Sequence, residues 1–305
     1  MNIVVVDIGG TRVKYGCLDD KGILRGLSSC DTPQDSSASL LSLLCEIYRS
    51  FPEAEGLSVS IPGILDVENG VCKTGGALEY NAGLPIRDLL MQRIGAPVAI
   101  ENDGRCAVMA ECWKGALEGK ECGVVIGLGT AVACGVVIHG RVLCGAHYTA
   151  GELSYLCSDL SRWDKPDGTA GTSLSAVKML QAIRDALPER ELPDGQAVFA
   201  LLEQEEPTAK AIFDAYIQRL AVQLYNLQLL LDPEIIALGG GISRQPLLLS
   251  SLRDACNAVY EHGYWTRNTP HLPRINLVNC KFYNEANLYG AFYNYITQYP
   301  QGGKV

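Results

Sequence analysis

The sequence predicts an α/β protein of two domains, with helices covering mixed sheets, and three observations carry that expectation. Its 305 residues suffice for about two domains of ordinary size. A strand–glycine turn–strand unit stands at 3–16 and again at 123–138, a weak internal repeat whose natural origin is a duplicated domain. Helix-periodic segments interleave with these strands, as in layered α/β architectures.

From the N-terminus, Ile3 to Val6 form an apolar run that ends in Asp7. Gly9-Gly10-Thr11 turn the chain, and an alternating run restarts at Val13. This reads as a hairpin, strands 2–7 and 12–18, with an acid at the end of its first strand. A strand near 22–28 extends the meander. Leu40, Leu41, Leu44, Ile47, Tyr48 and Phe51 recur at helical spacing over 38–51. A strand at 56–61, a turn at Pro62-Gly63, short strands near 64–74, a strand at 97–101 and a helix from Gly104 to Lys114 follow. The second half repeats the grammar: strand 122–127, a turn holding Gly127, Gly129 and Thr130, and strand 131–138. Helices are expected at 172–186, 195–204, 208–231, 246–262 and 285–297. Strands are expected at 234–238, running into Gly239-Gly240-Gly241, and at 275–279. The expected division is a smaller domain of 1–115 plus the C-terminal helix at 285–300, and a larger domain of 116–284.

The net charge of −9 argues against nucleic acid as the main partner, which would need a basic face. Twelve cysteines include no C-x-x-C pair, and ten precede residue 160. Cys17, Cys45, Cys106, Cys122 and Cys134 lie inside apolar runs, as small buried hydrophobes of a reducing compartment do. The start shows no basic n-region, so no signal peptide is expected. The longest apolar window, Gly123 to Ile138, is glycine-broken and too short to span a bilayer. A cytoplasmic chain is the expectation.

Glycine lets backbone N–H groups face an anion closely. An acid beside such a turn suits a phosphate chelated by a divalent cation; the plain alternative is an ordinary tight hairpin. Three such turns strengthen the case. The first two would meet a nucleotide's phosphates, and the third, ALGGGIS at 237–243, would meet its nucleoside. Neither a G-x-x-x-x-G-K-[ST] pattern nor a G-x-G-x-x-G after a strand occurs. Asp103, in AIENDGRCAVMAE, stands at the entry to a helix. Asn102 or Asp103 would serve as an N-cap there. Asp103 would equally serve as general base towards an attacking hydroxyl.

DIGGT, END-x-x-x-A, GLGTAVACGVVI-x-G, AGEL and LGGGIS occur in that order. Together they resemble the ROK family of sugar kinases, within the actin/hexokinase/Hsp70 ATPase superfamily, from Asp7 to the terminal ANLYGAFYNYI. The resemblance implies a two-domain actin-like ATPase (ribonuclease H-like) fold with a central interdomain cleft. It implies an ATP-dependent kinase acting on the 6-hydroxyl of a hexose. Carried over by position, Asp7 would hold Mg²⁺ through water. Gly9, Gly10, Thr11 and Lys14 would line the phosphates, joined by Gly129 and Thr130. Gly240 and Gly241 would contact adenosine. Asn102 and Asp103 would bond the sugar, Asp103 as base, and Glu152 would bind sugar hydroxyls.

Two departures bear on function. Zinc-containing members follow the AGE motif with Gly-His and a cysteine cluster. Here AGEL continues as Ser154-Tyr155, and 168–175 reads GTAGTSLS with no cysteine. A tetrahedral site needs about four ligands, so no structural zinc is expected. Tyr155 would stand where histidine touches the sugar, with His147 and Asn81 as further candidate contacts. The family's repressors carry a DNA-binding segment ahead of the kinase-like body; DIGGT begins at residue 7 here, so a repressor is not expected. The implied substrate is glucose, a β-glucoside or N-acetylmannosamine, with a tilt to β-glucosides. A homodimer is expected, with no nucleic-acid or membrane partner. The alternative is a sugar-binding sensor without catalysis.

Overall fold

The structure is a computed structural model that describes residues 1–269 and 271–300. The chain forms two compact units. One comprises Met1–Glu118, Val142–Ala150 and the chain from Glu285; the other comprises Gly119–Arg141 and Gly151–Asn284. The sequence-based division gave 142–150 to the larger domain. In the structure Arg105 and Lys73 engage Tyr148 and hold that segment in the first unit.

The first unit opens with the meander β1 (Asn2–Ile8), β2 (Arg12–Asp19) and β3 (Leu24–Asp31). Then come α1 (Ser37–Arg49), β4 (Gly56–Ile61), the ribbon β5 (Leu65–Asp66) and β6 (Val71–Cys72), α2 (Ile86–Ile94), β7 (Val98–Asn102) and α3 (Asp103–Lys114). The sheet order is β3-β2-β1-β4-β7. β1 runs antiparallel to β2, with Asp7 opposite Lys14, and parallel to β4. Both sheet faces are covered, so β1 reads as a nearly continuous apolar run; in β4 the buried Ser58 and Ser60 alternate with apolar residues. Val4, Val6 and Ile8 face Leu40 and Leu44 of α1 and Ile86 and Leu90 of α2. The intervening Ile3 and Val5 face the opposite core. α2 is absent from the sequence reading.

The second unit holds β8 (Cys122–Leu128), β9 (Val132–Ile138), β10 (Arg141–Val142), α4 (Ala170–Ser173), α5 (Ala176–Ala186), α6 (Gly195–Glu203), α7 (Pro207–Leu231), β11 (Ile235–Gly239), α8 (Pro246–His262), α9 (Tyr264–Asn268) and β12 (Leu277–Asn279). Its sheet order is β10-β9-β8-β11-β12. β8 pairs antiparallel with β9 and parallel with β11. The two hairpins that looked like a repeat therefore occupy the same place in two sheets of like topology. Val124, Ile126 and Leu128 pack with Phe199, Leu220, Leu224 and Leu252 of the helical layer. The helix expected at 172–186 is two helices. The first stops at Ser173, and Ser175 caps the second, its Oγ accepting the Lys178 N–H at 3.1 Å.

The chain returns to the first unit as α10 (Ala286–Gln298). Leu288, Phe292 and Tyr295 close the sheet face that presents Ile3 and Val5. Gly290 permits close packing on α3, since a Cβ there would lie 1.8 Å from the Cys106 carbonyl oxygen. All twelve cysteines are free. Cys122 is half-buried, whereas Cys17, Cys45, Cys106 and Cys134 are buried. Among the described residues no helix is long and apolar enough to cross a membrane.

Candidate active site

Asp7 lies at the end of β1, where the parallel strands of the sheet deliver their C-terminal residues. Its Oδ1 accepts from Asn287 Nδ2 at 2.9 Å and Ser60 Oγ at 3.1 Å. Burial pushes its carboxyl above the ordinary carboxylate range; Asn287, Lys14 and Ser60 offset this in part. A desolvated carboxylate held by neutral donors fits a cation, which would offset its burial cost. The turn after it is fixed through its carbonyls. Thr32 Oγ1 donates to Gly9 O at 2.8 Å, Gln34 Nε2 to Gly10 O at 2.8 Å, and the Thr32 N–H to Thr11 O at 3.0 Å. The Gly10 and Thr11 N–H groups make no hydrogen bond among the described residues. A turn with bonded carbonyls and unmet N–H groups fits phosphate oxygens.

β7 and α3 meet at Asn102-Asp103 in the same unit. Asn102 is the N-cap. Its Oδ1 accepts the Arg105 N–H at 3.2 Å, and its Nδ2 donates to Gly63 O at 2.9 Å. Asp103 is thereby released from capping and stands as the first helical residue. Burial pushes its carboxyl up to about 6, against the Gly104 N–H bonded to it at 2.8 Å, with the Asp7 charge adding to the rise. A carboxylate poised near neutrality suits proton acceptance. Beside it, Arg105 Nε donates to Glu101 in a buried ion pair.

Asn81 belongs to this unit too. It is fully buried, and neither its Oδ1 nor its Nδ2 has a partner among the described residues. Such a group is costly unless something meets it. His147 is exposed on the 142–150 segment.

The second unit carries a matching turn. Ser175 Oγ donates to Thr130 O at 2.7 Å, and the Val177 N–H bonds Gly129 O at 3.3 Å. Carbonyls are again tied down, here by the start of α5. A Cβ on Gly129 would meet nothing within 4 Å. In the third turn Gly240 has φ +92°, and a Cβ there would lie 2.1 Å from Leu128 O, whereas Gly241 faces open space. Ser243 Oγ closes this turn on Gly240 O at 2.7 Å. Glu152 is half-buried ahead of a 3-10 turn at Leu153–Tyr155, and Tyr155 is 75 % exposed.

Asp7, Gly9–Thr11, Lys14, Asn81, Asn102, Asp103 and His147 thus fall in the first unit. Gly129, Thr130, Glu152, Tyr155, Gly240 and Gly241 fall in the second. Ser60, Asn287, Thr32, Gln34, Ser175, Glu101 and Arg105 hydrogen-bond these candidate residues and were not singled out from the sequence. Of these only Glu101, the first residue of the END motif, and Arg105, two residues past it, had a local signal. Among the described residues no group of three or more His, Cys, Asp or Glu side chains is placed to hold a metal ion.

The model of the ROK family matches residues 3–297. A β-glucoside kinase of Listeria innocua is 26% identical, over 98% of each chain. A ROK family protein of Streptococcus pneumoniae, crystallised with sucrose, superposes with a TM-score of 0.86 at 26% identity, covering 99% of this chain and 100% of that one. A ROK family glucokinase of Streptomyces griseus, in complex with glucose and AMPPNP, gives a TM-score of 0.79 at 21% identity, covering 95% and 98%.

Proposed function

The chain belongs to the ROK family, and from that premise we propose that it is an ATP-dependent sugar kinase, phosphorylating the 6-hydroxyl of a hexose or a β-glucoside. The single observation that carries the reading is Asp103. It is a desolvated carboxylate near neutrality, freed from capping by Asn102, in the unit that also presents Asp7 and a phosphate-type turn.

Asp103 accepts the proton of the sugar hydroxyl as the oxygen attacks the γ-phosphorus of ATP. The bond from that phosphorus to the bridging oxygen of ADP breaks. The turn Gly9–Thr11 with Lys14, and the turn at Gly129-Thr130, are the phosphate-binding elements; Gly240 and Gly241 leave room for the nucleoside. Mg²⁺, held through water at Asp7, would neutralise charge on the phosphoryl oxygens. Asn81, with its two unmet polar atoms, and Glu152 bind sugar hydroxyls. Positioning and charge stabilisation are most of what phosphoryl transfer needs.

The tilt to β-glucosides is supported by the Listeria innocua relative, similar over nearly the whole of both chains. ADP release is the test, measured with glucose, mannose, N-acetylmannosamine, N-acetylglucosamine, allose and cellobiose. Turnover is expected with at least one, with kcat/KM highest for cellobiose. Sugar binding without ADP release on any of them would instead establish a sensor.

A further inference from the structure

Segment 142–150 groups with the first unit although the chain on either side of it belongs to the second. Its anchor is Tyr148, whose backbone adopts φ +61°, past a turn at Gly145 that the Ala150 N–H closes on Cys144 O at 3.3 Å. A non-glycine residue in that conformation is strained and needs support. Three contacts supply it. The Tyr148 carbonyl accepts from Arg105 Nη1 at 3.2 Å. Its hydroxyl faces the Asp66 carboxylate closely enough for each group to shift the other's protonation. Lys73 Nζ lies 5.0 Å from its ring centroid and 3.8 Å from Asp66.

Arg105 is 2% exposed and is pinned by Glu101, whose Oε1 also accepts the Asn102 N–H at 2.7 Å. As a stabiliser the pair is poorly chosen, because apolar side chains of like volume often do as well. Its Nη2 is buried with no partner among the described residues. What the guanidinium provides that an apolar side chain does not is a donor aimed at Tyr148 O, four residues before Glu152.

We propose that Arg105 and Tyr148 are positioning residues for the sugar. They hold the segment leading into Gly151-Glu152 in one conformation and act on sugar binding through Glu152. The proposal rests on the reading of Glu152 as a sugar contact.

Three variants test it: Glu101→Gln/Arg105→Met, which removes both buried charges together; Tyr148→Ala, which removes the ring anchors and leaves the ion pair; and Glu152→Gln. Melting temperature, sugar KM, nucleotide KM and amide exchange of 142–150 are measured on each. The double variant and Tyr148→Ala are each expected to raise sugar KM by about tenfold, roughly 1.4 kcal/mol. Nucleotide KM should stay within about twofold, melting should change little, and 142–150 should exchange faster. Unchanged sugar KM in Tyr148→Ala overturns the proposal even if the double variant does not fold. So does a sugar and nucleotide KM that rise together in step with lost stability. Glu152→Gln separates the two readings. If it leaves sugar KM unchanged, Glu152 is no sugar contact. If it raises sugar KM while Tyr148→Ala does not, the contact stands and the positioning role falls.

Discussion

Asp103 illustrates how placement sets the chemistry of one side chain. Its carboxyl is raised from 3.8 to about 6, chiefly by burial, so the folded state favours the protonated form. That preference is fully expressed below about pH 3.8 and is lost as pH rises through about 6. Replacing Asp103 by Asn is expected to cut kcat by about 10²–10⁴-fold and to stabilise the protein by about 1–3 kcal/mol. The gain in melting temperature should be larger at pH 8 than at pH 5, as read by calorimetry. In the native enzyme kcat should fall on the acid side of about pH 6. A variant that loses stability at pH 8, or keeps more than a tenth of its turnover, would contradict this. Asp7 and Asp103 were legible because each sits in a short motif at a strand end. Asn287, which holds Asp7 from 280 positions away, was not, since no local pattern links residues so far apart.

At the scale of elements, both hairpin turns are tied through their carbonyls, one by Thr32 and Gln34 and the other by Ser175. Packing does not require glycine at 129, because a Cβ there would meet nothing within 4 Å. At Gly10 it would crowd Ala77 Cβ at 3.2 Å. Gly129→Val is therefore the cleaner probe. It is expected to weaken ADP binding by about tenfold, roughly 1.4 kcal/mol, with melting and sugar affinity unchanged, by titration calorimetry. Loss of stability with unchanged ADP affinity would remove Gly129 from the phosphate contacts. The hairpins and α1, α7 and α8 were legible from alternation and helical spacing. α2 was not, because only Ile86 and Leu90 of its nine residues are fully buried. The break at Ser175 was hidden as well. Its cause is a hydroxyl that caps α5 and reaches Thr130 O, a tertiary demand with no periodic signature.

For the whole molecule, duplication was visible only as two glycine hairpins, yet it extends to the order of all five strands in each sheet. The units differ in continuity. Most of the second is one stretch, whereas the first needs residues from both chain ends. A chain stopped after Asn284 would lack α10 and uncover Ile3, Val5, Leu18, Ala99 and Cys106. It is expected to bind a hydrophobic dye and aggregate; a native near-ultraviolet spectrum with a single sharp melting transition would contradict that. The placement of α10 also sets a waiting time during manufacture. The strands that leave the ribosome first stay bare along one side until the last helix follows, roughly 15–60 s later at ordinary translation speeds. For that interval the nascent protein is a client for whatever shields exposed greasy surfaces in its cell, even though its later-made half is already able to close.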